Sequence, residues 1–193
     1  MNETEILAQF KKTNALLEGH FILSSGLHSP SYLQCALALR DPKAAETFGK
    51  MIAERFAGQE FDCVVSPAIG GLVIGYETAK ALNLPFIWTE RQEGVMTLRR
   101  GFSVRENERL LVVEDVITTG GSTKECINVI ENHGGKVTAA ASIIDRSGGK
   151  ADVGVTRIAL VTLEVKSYST DICPNCANGE IAVKPGSRFE VKK

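Results

Sequence analysis

The chain has 193 residues, 44% of them hydrophobic and 23% charged, with a net charge of -1 at neutral pH. That is enough chain for one domain with a sizeable core, and the composition is that of an ordinary globular protein. The near-zero charge excludes a global attraction to nucleic acid or anionic membrane, so any anion must be held by local groups. The opening MNETEILAQFKK has no signal-peptide pattern, and no apolar run is long enough to span a bilayer. Cys35, Cys63, Cys126, Cys173 and Cys176 are an odd set in a chain without an export signal, which predicts reduced thiols in the cytoplasm.

In chain order, residues 3 to 17 carry Ile6, Leu7, Phe10, Leu16 and Leu17 at positions that predict a first helix. GHFILSSGLHSPSYLQCALAL (19–39) reads as strand, loop, strand. Asp41 as cap and Pro42 at the first position predict a helix running to about Ala57. FDCVVSP is apolar at consecutive positions, as in a strand buried on both faces. AIGGLVIGYETAKALNL is a Gly-rich loop leading into a helix, and PFIWTE is another strand. Residues 91–108 are polar without clear period and predict a long loop, one that could fold back as a ribbon. A strand at 110–114, a helix at 122–133, a stop at Gly134-Gly135, a strand at 137–144 and one near 157–163 follow. Strands alternating with helices predict an α/β domain, its mostly parallel sheet flanked by helices on both faces. The tail after Ser167 is richer in Pro, Gly, Asn and Cys and predicts a small cap.

Ligands of open parallel sheets bind beyond the carboxyl ends of the strands. Two loops there stand out. SPAIGGLVIG (66–75) places Gly70 and Gly71 before a helix, where missing Cβ atoms let backbone N–H groups approach an anion. Tight strand-to-helix turns use Gly for purely structural reasons too. The second loop, VVEDVITTGGST (112–123), carries Glu114 and Asp115, then hydroxyls and backbone donors at a helix start that suit a monoester phosphate. Carboxylates beside such a cradle would repel the ligand unless sugar hydroxyls or a divalent cation meet them. A turn whose acids merely cap the helix is the competing reading. Neither GxxxxGK[ST] nor GxGxxG occurs.

VVEDVITTGGST resembles the phosphoribosyl-diphosphate (PRPP) motif of type I phosphoribosyltransferases. FILSSGLHSPSYLQCAL looks like the N-terminal signature of the orotate phosphoribosyltransferases, VVSPAIGGLVIG like their diphosphate loop, and AASIIDRSGG like the strand end whose Arg grips orotate. The resemblance spans about Ala15 to Gly149. It implies a five-stranded parallel core sheet under a small hood, a single domain over 1–193 (hood 1–40, core 41–166, tail 167–193), and a homodimer. The implied reaction joins orotate to the ribose of PRPP, giving orotidine 5'-monophosphate and diphosphate in UMP synthesis, with Mg2+ carried by PRPP and no protein side chain required as its ligand.

Carried over by position, Glu114 and Asp115 would contact the ribose, and Val116, Ile117, Thr118, Thr119, Gly120, Gly121 and Ser122 would form the 5-phosphate loop. Ala68, Ile69, Gly70 and Gly71 would line the diphosphate. Ser25, Gly26, Tyr32, Thr118 and Arg146 would hold orotate. Arg91 opens the segment matching the family's mobile catalytic loop, where Arg99 and Arg100, with Asp115, complete the catalytic set. This chain departs from better-known members at Ser24 and Gly70, where they carry Lys, and in RQEGVMTLRRGF, which has neither Lys nor His. Neutralising the diphosphate therefore falls to the three arginines and metal.

For Arg146, beside Asp145, a structural salt bridge is the competing reading. His20, His28 and His133 show no metal spacing; His28 reads as a solvated loop residue and His133 as serving a helix C-terminus. Cys173-Pro-Asn-Cys176 supplies two of the four ligands a structural zinc needs, so a redox pair or a plain turn competes with a site completed by Cys35, Cys63 or a second tail. Two rivals remain to the orotate reading: a transferase for another nucleobase, and a non-catalytic PRPP sensor binding nucleic acid. The absence of a basic, aromatic-interleaved stripe argues against the second.

Overall fold

A computed structural model describes residues 1–23 and 25–185. The departure noted at Ser24 and the last eight positions of the expected tail, 186–193, lie outside the described residues.

Helix α1 (Glu3–Lys12) opens with a capping box in which Asn2 and Glu5 satisfy each other's backbone N–H groups. It stops at Lys12, short of the expected Leu17, because Asn14 takes a left-handed conformation and turns the chain. Leu16 and Leu17 instead begin β1 (Leu16–Ile22), which pairs antiparallel with β2 (His28–Leu33) to form the hood hairpin. The expected strand through QCALAL is in fact the short helix α2 (Cys35–Leu39), buried at Cys35, Ala38 and Leu39. Helix α3 (Pro42–Arg55) has the Asp41 cap and Pro42 start that its sequence predicts.

The core sheet comprises β3 (Cys63–Pro67), β4 (Phe86–Gln92), β5 (Val95–Leu98), β6 (Arg109–Ile117), β7 (Lys136–Asp145) and β8 (Arg157–Thr162), in the order β5-β4-β3-β6-β7-β8. Five strands run parallel and β5 is antiparallel to β4. Alternate residues of the central strands serve opposite faces. Val64, Leu111, Val113, Ala139 and Ala141 pack with α1, α2, α3 and helix α4 (Gly71–Leu82). Val65, Leu110, Val112 and Val137 pack with helix α5 (Gly121–Asn132) through Cys126, Ile127 and Ile130. Burial on both faces explains the uninterrupted apolar runs.

The segment 91–108 is a ribbon at its start rather than a loop throughout. Strand β4 extends to Gln92, and Glu93 and Gly94, both at positive φ, form the two-residue turn that the hairpin requires. The acidic pair lies inside β6 rather than after it, since that strand continues to Ile117.

The tail, with a 3-10 turn (Thr170–Ile172) and helix α6 (Pro174–Ala177), runs along the hood. His28 and Tyr168 exchange two backbone hydrogen bonds of 2.8 Å, and Val183 bonds to both His20 and Ile22. His20 and His28 are accordingly buried, each 6% exposed. The expectation of a solvated His28 fails because the tail covers it. His133 is where expected, its Nδ1 2.7 Å from the Val129 carbonyl at the end of α5.

Candidate active site

The loops after β3, β6 and β7 emerge at one edge of the sheet. Strand alternation starts Glu114 and Asp115 on opposite faces of β6, but their carboxylates converge at the strand end, where a Cβ at Gly71 would stand 3.3 Å from Glu114 Oε2. Glu114 lines a cavity of about 80 Å³ together with Val116, Ile117, Thr118, Thr119, Gly120, Gly121, Ser122 and Thr123. No side chain caps α5, whose Ncap Gly120 is left-handed at φ 82°, so the N–H groups of its first turn are left for a ligand. A Cβ at Gly120 would come within 2.8 Å of Val153 Cγ1, so glycine is required there on two counts.

On the other side, the loop Ala68–Gly71 leads into α4, which likewise has no side-chain cap. Its Ala68–Ile69 peptide is cis. A Cβ at Gly70 would stand 2.8 Å from Asp115 Oδ1, and one at Gly71 2.8 Å from the Val113 carbonyl. The glycine that replaces a familial lysine therefore sits directly against the acidic pair.

The Asp115 N–H donates to Glu114 Oε2 at 3.1 Å, and the Val116 N–H donates to Asp115 Oδ1 at 2.8 Å. No Lys, Arg or His forms a salt bridge with either acid among the described residues. Burial, and then the charge of Asp115, push Glu114 up to about 9; burial also raises Asp115. The acids are thus not acting as caps. Glu114 is buried and Asp115 partly so, and neither has a cation partner among the described residues.

Arg146 follows β7, its N–H donating to the Ile117 carbonyl at 2.7 Å, which ties it to the base of the phosphate loop. Its neighbour Asp145 pairs with Arg157 at 2.7 Å and accepts from Ser147 and Gly149. Arg146 itself makes no salt bridge among the described residues. Burial holds its guanidinium below the usual range. A half-buried guanidinium with no anion suits a planar carboxylate ligand. Tyr32 stands on β2, its ring tilted against Phe21 at 6.0 Å between centroids. Cys35, weighed above as a ligand that would complete a zinc site, instead has its sulfur 3.9 Å from the Asp115 carbonyl. Ser25 and Gly26 occupy the tip of the hood hairpin, with Gly26 at φ 84°.

The three arginines of the ribbon are engaged elsewhere. Arg91 donates to the Gly94 carbonyl and pairs with Glu125 on α5, while Arg99 and Arg100 share Glu90, at 3.3 and 2.9 Å.

The sequence pattern described as "Phosphoribosyl transferase domain" matches residues 38–169. The orotate phosphoribosyltransferases of Caldicellulosiruptor bescii and Pelotomaculum thermopropionicum are 50% and 51% identical to the chain, each over 97% of it and 99% of the relative. The chain belongs to the orotate phosphoribosyltransferase family. The crystal structure of the Aeropyrum pernix orotate phosphoribosyltransferase has the same fold, with a TM-score of 0.67 and 28% identity over 82% of this chain and 94% of that one. The type I phosphoribosyltransferase fold expected from the motifs is therefore present, with β5 added at the edge of the five parallel strands.

Because the folded chain holds the Glu114 proton more tightly than the unfolded chain, its stability falls as pH rises from the ordinary 4.5 toward about 9. Glu114→Gln is expected to flatten that decline and to raise the melting temperature of the ligand-free protein at pH 8 by several degrees, about 1 kcal/mol being worth roughly 2–4 °C at this size. Thermal scans of both proteins between pH 5 and 9 check this; parallel curves would contradict the assignment.

Proposed function

We propose that the chain is a single-domain cytoplasmic orotate phosphoribosyltransferase of UMP synthesis, transferring the phosphoribosyl group of PRPP to orotate and releasing diphosphate. The observation that carries this reading is the half-buried Arg146, without a carboxylate partner among the described residues, tied through its N–H to Ile117 at the foot of a loop whose helix has no side-chain cap. No helix is long and apolar enough to cross a membrane among the described residues.

Each site group has a role in the transfer. The N–H groups and hydroxyls of Thr118 to Ser122 receive the 5-phosphate. Glu114 and Asp115 accept hydrogen bonds from the ribose hydroxyls, which suits acceptors that have no cation partner among the described residues. Ala68 to Gly71 present backbone donors to the diphosphate. Arg146 and Thr118 grip orotate, Tyr32 packs beside the base, and Ser25 and Gly26 form its outer edge. Departure of diphosphate leaves oxocarbenium character on the ribose, so rate comes from alignment and from neutralising the leaving group. Mg2+ fits a site whose donors are hard oxygens, and when bound through PRPP it supplies part of that neutralisation. The rest comes from Arg91, Arg99 and Arg100. The Arg91 pair with Glu125 is exposed and weak, whereas Arg99 and Arg100 share a mostly buried Glu90, so the higher charge of diphosphate must draw those two off it. The ribbon then also excludes the water that would hydrolyse PRPP.

The homodimer forms through the apolar stripe Ile69, Val73 and Tyr76, which are 84%, 45% and 58% exposed and begin in the diphosphate loop itself. Sedimentation should show a dimer that Tyr76→Glu converts to monomer; a monomeric unsubstituted chain would contradict this.

With PRPP and magnesium, ultraviolet assay should show loss of orotate but not of uracil, hypoxanthine or adenine. Arg146→Ala is expected to lose about 2–4 kcal/mol, roughly 30- to 700-fold in kcat/KM. Arg99→Ala with Arg100→Ala should lower kcat. Turnover of another base, or full turnover in these variants, would overturn the corresponding role.

A further inference from the structure

Far along the sequence from the acidic pair, the hood and tail bring four ligand-type side chains together. His20 on β1, His28 at the start of β2, Cys173 at the N-cap of α6 and Cys176 within it place one donor atom each within 4.8 Å of one another. The Cys173 sulfur lies 3.4 Å from His20 Nε2, and the Cys176 sulfur lies 3.7 Å from His20 Nε2 and 3.2 Å from His28 Nδ1. Zinc bonds of about 2.3 Å to sulfur and about 2.0 Å to nitrogen place the two donors of a tetrahedron about 3.5 Å apart. The observed edges bracket that value.

The outer ring nitrogens are directed away from the cluster. His20 Nδ1 lies 2.9 Å from the Glu180 carbonyl, an acceptor only, so this nitrogen carries the proton and Nε2 presents its lone pair to the cluster. His28 Nε2 faces Thr170 Oγ1 at 3.4 Å, leaving Nδ1 as the inward donor. An inward lone pair fixed by an outward N–H is how metal-bound imidazoles are held. The two inward nitrogens lie 2.7 Å apart, a hydrogen-bond distance that one ring proton can fill in the metal-free chain and that a metal would replace. Cys173, His20 and His28 are buried, at 4%, 6% and 6% exposure. Two thiolates and two neutral imidazoles around a dication sum to zero charge, which suits a buried site.

We propose that His20, His28, Cys173 and Cys176 bind one structural zinc ion that fastens the tail to the hood. On binding, the two thiols lose their protons to solvent and each sulfur donates a lone pair to the metal. A two-stranded hairpin is marginally stable alone. This one carries few large buried side chains, and beyond its partner strands it is held by backbone bonds to Tyr168 and Val183. A metal joining residues so distant in sequence supplies the missing anchor. It also fixes the spacing of the loop bearing Ser25 and Gly26. Cys35 and Cys63 take no part, since one lies at Asp115 and the other in β3.

The test is metal analysis of the full chain purified under reducing conditions without a metal-affinity step. One zinc per chain is expected, with near-complete loss in Cys173→Ser/Cys176→Ser. Because that variant could fail to fold, the unsubstituted chain is also exchanged with cobalt(II). Tetrahedral ligand-field bands with thiolate charge transfer are expected, and chelation should lower the melting temperature by roughly 5 °C or more, restored by zinc. A metal-free native chain whose melting temperature does not respond to added zinc, zinc retained by the double variant, or octahedral cobalt spectra without thiolate bands would overturn the proposal. These readouts do not depend on orotate turnover.

Discussion

Two adjacent carboxylates near the end of a central strand, Glu114 buried and Asp115 partly so, are the constraint around which the site is built. Glu114 and Asp115 sit on β6, in the middle of the sheet order, so β3 and β7 deliver loops to either side of them. Burial without a cation is costly, and here the cost is carried as raised proton affinity. The neighbouring chain adapts to the pair. Gly71 leaves no room for a Cβ over the Val113 carbonyl, and a Cβ at Gly70 would make the Asp115 carboxylate shift. Cys35 packs its sulfur by the Asp115 backbone, where a charged neighbour would perturb the balance.

That constraint also orders the positive charge. Cations placed permanently beside the acids would satisfy them and leave nothing for a ligand to do. Arg91, Arg99 and Arg100 are instead held on Glu125 and Glu90, on the ribbon and helix beside the site. Arg146 is kept half-buried with Asp145 turned to Arg157, so its guanidinium stays available for a carboxylate. The proposed site thus keeps acceptors for a sugar, donors for a phosphate and a fork for a carboxylate, each lacking a protein partner.

Much of this was legible because it is contiguous. The phosphate loop, the acidic pair and the Gly-rich turn each occupy one short stretch, and the apolar runs before them mark buried strands. What depended on tertiary pairing was less legible. The ribbon turned on Glu93 and Gly94, a two-residue signal inside a polar segment. Leu16 and Leu17 fit a helical period but belong to a strand, because Asn14 breaks the chain direction first. The His and Cys cluster had no sequence spacing at all, since its halves meet only when the tail pairs with His28 and Val183 reaches Ile22. The CPNC pair was legible as two ligands of four; the two histidines that face it were not.

The central claim is that Glu114 is protonated in the ligand-free protein and is ionised by the hydroxyls of a bound phosphoribosyl group. Calorimetric titration with PRPP and magnesium at pH 8, in two buffers of different ionisation enthalpy, measures this directly. The account predicts release of roughly one proton per PRPP bound, lost in Glu114→Gln. Binding without proton release would contradict it, and would place the ribose somewhere other than on this acidic pair.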